Sequence, residues 1–240
     1  MDEVREGSRY PSRVNQEKGT SRMPSAPARR PITDELRQSV IEDLPEIAWI
    51  TNADLRAKTV EAWAYALAES SFCRITDLAP EGNPGTFLVK RGTQADHLRG
   101  VTRIAVSIAD EFLSAYPEAD IDRDVVVAGG LVHDVGKPYE FDPVRRAKWT
   151  ADPSRAGLPA LRHPVYGIHI AMAVGLPEEV MHIVLSHSFE GDFLTRSLEG
   201  VIVHRADSLW WAVAGGAGLL DPRSNSILEG RKIAPRPLKR

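Results

Sequence analysis

The segment Gly129-Gly130-Leu131-Val132-His133-Asp134-Val135-Gly136-Lys137-Pro138 sets an imidazole beside a carboxylate at the end of an apolar run, then breaks the run with Gly and Pro. A carboxylate taken out of water without a partner is costly, so Asp134 needs a cation. A divalent metal is the expected one, because ligating side chains recur along the chain at inward-facing positions. His97 lies four residues before Val101, on the face that carries Ile104, Ala105, Ile108 and Phe112. His163 precedes Pro164, His187 falls on the arc of Val180, Ile183 and Val184, and Asp207 stands among Val203, Ala206, Trp210 and Trp211. Taken singly, each has a plain structural explanation, such as a core histidine bonded to a carbonyl. Taken together, four imidazoles and two carboxylates without a thiolate suit a hard or borderline divalent ion: Fe, Mn, Ni, Co or Zn. His182 points roughly 100° away from Ile183 and reads as a surface residue. His169 and His204 lie near the inner faces of their helices and are reserve ligands or supports.

The elements that must position these groups read as helices. Thr33 caps a helix with Leu36, Val40, Ile41 and Leu44 on one face, and a second follows Thr51-Asn52 with Leu55, Val60, Trp63, Ala64 and Leu67. Residues 79–92 are turn-rich, with a short extended piece at Thr86–Val89. A long helix runs from Gln94 to Tyr116. Asp122 to Asp134 is apolar nearly all round, the mark of a central helix, and its Gly129-Gly130 pair suits a close helix crossing. Gly136 is expected to form a left-handed C-cap and Pro138 to end the element, leaving His133 and Asp134 in its final turn. Residues 138–162, rich in Pro, Arg and aromatics, read equally as a solvated surface loop or as a lid guiding an anionic substrate. His163 is expected in extended backbone just outside a helix that starts at Pro164 and ends at Gly175. Two more helices follow, over 177–188 and 197–213.

Composition bounds the function. The 240 residues carry a formal charge of -3 with well-mixed signs, so there is no basic footprint for nucleic acid, and no nucleic-acid groove is expected. A single cysteine, Cys73, excludes a disulfide framework and a thiolate zinc cluster. The run Val125–Val132 is far shorter than the roughly 18 residues of a membrane span. The expectation is a cytoplasmic protein without a membrane segment. Four regions are expected: a disordered tail at 1–31, a helical extension at 32–92 packing on the core, a metal-binding helical core at 93–216, and an irregular C-terminal tail at 217–240.

The order His97, His133-Asp134, Asp207 resembles the signature of the HD-domain superfamily of metal-dependent phosphohydrolases, and Val132-His133-Asp134-Val135-Gly136-Lys137 is similar to its HDIG/HDxGK variant. His163 and His187 match the two extra histidines of the two-metal branch. The resemblance implies an all-α fold, an HD-domain helical bundle, here with an N-terminal helical extension. It implies one metal on His97, His133, Asp134 and Asp207, and a second on His163 and His187 with Asp134 bridging. A hydroxide between the metals would be the nucleophile, and Lys137 would contact a phosphoryl or other anionic group. The chain lacks the Gly-Tyr-Pro of cyclic-di-GMP phosphodiesterases after His187, and reads Val135-Gly136-Lys137 where alarmone hydrolases carry an acidic pair.

The expected function is hydrolysis of a small anionic phosphoester or nucleotide-like substrate, with Asp134 and Lys137 as catalytic residues and Lys137, Arg145, Arg146 and Trp210 as substrate contacts. The same ligand set resembles that of diiron HD-fold oxygenases that cleave C-P or C-C bonds, which is the first alternative. A metal-stabilised, non-catalytic binding module is the second. Oligomeric state is not legible in the sequence.

Overall fold

The computed structural model describes residues 29–82 and 87–222. Expectations for residues 1–28, 83–86 and 223–240 lie outside the described residues. The fold is all-α. Helix α1 (Asp34–Asp43) and helix α2 (Ala53–Ala68) are followed by α3 (Gln94–Ala115) and α4 (Arg123–Val132). The short helices α5 (Lys137–Glu140), α6 (Pro143–Ala151) and α7 (Pro153–Ala156) lead into α8 (His163–Val174), α9 (Glu178–Ser186) and α10 (Leu198–Gly216). Extended structure among the described residues is confined to isolated bridges, Glu81 with Leu88 and Val89 with Leu220. Leu220, in the stretch expected to be irregular, therefore pairs with the extended piece expected near Val89. No helix of the described residues is long and apolar enough to cross a membrane.

Helix starts follow the side-chain chemistry. Thr33, Asn52, Thr93, Asp122 and Ser197 each accept a backbone N–H of the turn that follows, satisfying donors that the first turn leaves open. Helix α4 is buried from Val125 to Val132 and packs against α3, α10, α2 and α9. Its glycine pair allows two crossings at once. A Cβ on Gly129 would stand 2.4 Å from Ile183 Cδ1 of α9, and one on Gly130 would stand 2.8 Å from Thr102 Oγ1 of α3. The N-terminal helices share this core: Trp63 of α2 is fully buried and donates its indole N–H to Leu131 O of α4 at 2.8 Å.

Several local expectations are corrected. The stretch 138–162 is not a loop throughout: three short helices occupy most of it up to Ala156, 157–162 is irregular, and Trp149 is buried among the helices. Pro138 sits in the first turn of α5, which Lys137 begins, rather than ending α4, since a proline without N–H is accommodated there. His163 is the first residue of α8, with Arg162 as the extended N-cap. Phe112 is 49% exposed, because α3 outruns the core at its C-terminal end. His182 is half-buried and accepts the Ser197 N–H at 3.1 Å, so it supports the start of α10.

Candidate metal centre

Two helix ends present histidines in the same way. His133 is the C-cap of α4, and its Nδ1 lies 2.8 Å from Gly130 O; His187 is the C-cap of α9, and its Nδ1 lies 2.9 Å from Val184 O. A carbonyl can only accept, so both rings carry their hydrogen on Nδ1 and turn an Nε2 lone pair inward. His163 reaches the same state through Glu140, whose Oε2 lies 2.5 Å from its Nδ1. His97 enters from the first turns of α3, fully buried beneath Trp210 and Trp211, whose ring centroids lie 4.5 and 5.3 Å from its own.

All four imidazoles converge on Asp134, two on each oxygen. Oδ2 lies 3.3 Å from Nε2 of both His97 and His133, while Oδ1 lies 3.2 Å from His163 Nε2 and 3.5 Å from His187 Nε2. The Nε2 atoms within each pair are 3.3 Å apart, and Asp207 Oδ1 is 3.4 Å from His97 Nε2. Two ligands held by one ion at about 2.0–2.2 Å stand roughly 3.0–3.5 Å apart, the spacing seen here. The donor set fits metal for a second reason. At the His163–His187 pair, two imidazole lone pairs and a carboxylate oxygen face one another, an arrangement that is repulsive without a cation between them. Asp207 Oδ1 is buried and, among the described residues, has no hydrogen-bond partner, as expected of a ligand atom.

The electrostatics keep His97, His163 and Asp134 in ligating form. Burial holds the His97 and His163 imidazoles below their ordinary pKa, favouring the neutral ring. Burial acts the same way on His133, but the adjacent Asp134 charge outweighs it and raises that group. Burial opposes ionisation of Asp134, yet Lys137 and His133 hold its carboxyl well below the usual range. Lys137 is itself buried, with Nζ 2.8 Å from Asp134 Oδ2 and 2.5 Å from Glu81 O. Gln94, fully buried at the start of α3, donates to the same Asp134 Oδ2 at 2.8 Å.

The cluster opens onto a cavity of about 430 Å³ walled by Asp134, Lys137, His163, His187, Asp207 and Trp211. Arg145, Arg146 and Trp210 are not brought to its lining. Arg145 lies 4.2 Å over the Tyr139 ring and donates to Glu69 O, Arg146 stands over Phe141 and near Glu81, and Trp210 packs behind His97. Of the reserve histidines, His204 reaches the lining and contacts His187 O through Nδ1, whereas His169 sits with Tyr65, 5.9 Å between ring centroids. Glu140 and Gln94 were not legible beforehand. Glu140 had a signal, as an acid in a segment of aromatics, but Gln94 had none.

The HD domain family model matches residues 95–211 of the chain. A curated relative, the dihydroneopterin 2',3'-cyclic phosphate phosphodiesterase of Methanocaldococcus jannaschii, is 34% identical over 126 residues, covering 48% of this chain and 45% of the relative. The chain thus spans less than half the length of that relative. No solved structure matches significantly. With the His97, His133-Asp134, Asp207 order gathered at one point of an all-α core, residues 95–211 match the HD domain in both sequence and site geometry.

Proposed function

We propose that this protein is a two-metal hydrolase of a small anionic phosphoester, with a cyclic phosphodiester of the kind named for its relative as the leading substrate class. The observation that carries the reading is the division of Asp134, each oxygen facing its own pair of imidazoles. A carboxylate so placed would be able to serve two ions at once. His97, His133 and Asp207 would hold one with Asp134; His163 and His187 would hold the other. The ligand types admit Fe, Mn, Ni, Co or Zn.

Bound divalent ions would lower the pKa of coordinated water and polarise the phosphoryl group. The chain's own residues do the rest. Gly130 O, Val184 O and Glu140 fix three ring orientations, so little reorganisation accompanies binding. Lys137 offsets part of the Asp134 charge and, standing in the cavity wall, is placed to donate to a phosphoryl oxygen. Trp210 and Trp211 shield His97 from water. A hydrolytic activity is what the relative's name states, and neither the oxygenase nor the binding-module alternative gains support from it.

The test is a panel of phosphomonoesters, linear phosphodiesters and 2',3'-cyclic phosphates, assayed with the metal-loaded and the chelated protein. Metal-dependent release from a phosphoester supports the reading. Oxygen consumption by the iron-loaded protein, with no phosphoester cleaved, would overturn it.

A further inference from the structure

Among the described residues three long-chain cations line the cavity, and two are already engaged. Lys137 is bound to Asp134 and to Glu81 O. Arg196 donates to Ser186 O at 2.6 Å, to Ser188 O at 2.9 Å and to Asp192 Oδ1 at 2.8 Å, with its side chain 13% exposed. It ties the α9–α10 connection together. Arg205 differs: it is exposed, it lies in the cavity lining, and among the described residues its guanidinium has no hydrogen-bond or ion-pair partner. It comes from α10, whose His204, Asp207, Ser208 and Trp211 also line the cavity, so the helix that brings Asp207 to the cluster brings this cation too.

We infer that Arg205 is a specificity-determining residue that anchors the substrate's phosphoryl group at the metal centre, an inference that rests on the proposed hydrolase reading. The chemistry favours a guanidinium over the Lys137 ammonium, and the hydrogen bonds that already occupy Arg196 leave Arg205, among the described residues, as the guanidinium free to take the phosphoryl group. A guanidinium stays charged at any working pH and presents parallel N–H donors that match two oxygens of one phosphate. Hydrolysis of a cyclic phosphodiester adds water across one P–O ester bond, freeing an alcohol and leaving a monoester whose charge rises toward two. A cation at the cavity wall that has no partner among the described residues accommodates that added charge, whereas part of the Lys137 charge already offsets the Asp134 carboxylate.

The experiment compares the metal-loaded wild type with Arg205→Ala, Arg205→Gln and Arg205→Lys. Inorganic phosphate binding is read by calorimetry, cyclic phosphodiester turnover by steady-state kinetics, and metal content by elemental analysis. Arg205→Ala and Arg205→Gln are expected to weaken phosphate binding and raise KM by about tenfold to a hundredfold, with Arg205→Lys between them and wild type. Bound metal is expected to stay constant, because Arg205 touches no proposed ligand. Phosphate affinity and KM within about twofold of wild type in both variants would overturn the inference while leaving the hydrolase reading intact. Loss of metal in both would overturn it too, by making Arg205 part of the metal site's frame. Conversely, if no phosphoester is cleaved but phosphate binding still falls with Arg205→Ala, the anchor stands and the hydrolase reading fails.

Discussion

Gly136 lies directly against the backbone of His163: a Cβ placed on it would stand 2.0 Å from the His163 carbonyl oxygen. The contact joins the turn after His133-Asp134 to the start of α8, so the two halves of the cluster are held at a separation that only glycine permits. Gly136→Ala must push α8 outward. It is expected to cost about 3 kcal/mol or more in stability and to reduce metal content, read by denaturant unfolding and elemental analysis. Near-wild-type stability would show that α8 is free to shift.

Glu140 supports His163 from behind and also pairs with Arg162. Its carboxyl is opposed by burial but held below its usual pKa by the His163 hydrogen bond and the Arg162 charge, so it stays ionised at neutral pH. Glu140→Gln keeps the shape and loses the charge. It is expected to weaken metal binding at the His163–His187 side by about tenfold to a hundredfold, and to leave the His97–His133 side occupied. Titration with limiting metal would then show a single strong site instead of two.

Asp124 accepts from Thr51 N, Thr51 Oγ1 and Asn52 N at 2.7 to 3.0 Å, pinning the start of α2 to α4. Burial is the largest single influence and pushes its pKa up, but the hydrogen bonds from Thr51 and Asn52 and the Arg123 charge together outweigh it, and the folded-state value is lowered. A lowered carboxylate stabilises the fold above its unfolded pKa of about 3.9 and loses that contribution as pH falls through the folded value. Asp124→Asn is therefore expected to cost ~1 kcal/mol near neutrality, with the gap to wild type closing below about pH 4. Thermal unfolding across pH 3 to 7 would read it; a gap that widens in acid has the wrong sign.

The longer helices and the six clustered residues were legible because each signal is local: inward register for His97 and His187, a helix end for His133 and Asp134, the position before Pro164 at a helix start for His163, an acid beside two tryptophans for Asp207. What escaped depends on contacts between distant segments. Gly136 read as a left-handed C-cap, yet its φ is −80° and its glycine is required by His163, a residue 27 positions on in the chain. Arg145 and Arg146 lie near His133-Asp134 in sequence, but α5 and α6 turn them toward Tyr139, Phe141 and Glu69. Arg205, which reaches the cavity with no partner among the described residues, lies on α10, which only the tertiary fold brings alongside. The N-terminal helices likewise read as an appendage of unknown use. In the fold, Trp63 satisfies the Leu131 carbonyl two residues before His133, which ties α2 to the end of α4 that carries the cluster.

The most direct test of the central claim is the metal-to-protein ratio of Asp134→Ala beside that of wild type, measured after loading and gel filtration. The account predicts about two ions per chain in wild type, fewer than one in the variant, and loss of phosphoester turnover in parallel, because one carboxylate serves both positions. Two tightly held ions in Asp134→Ala, with turnover retained, would contradict it.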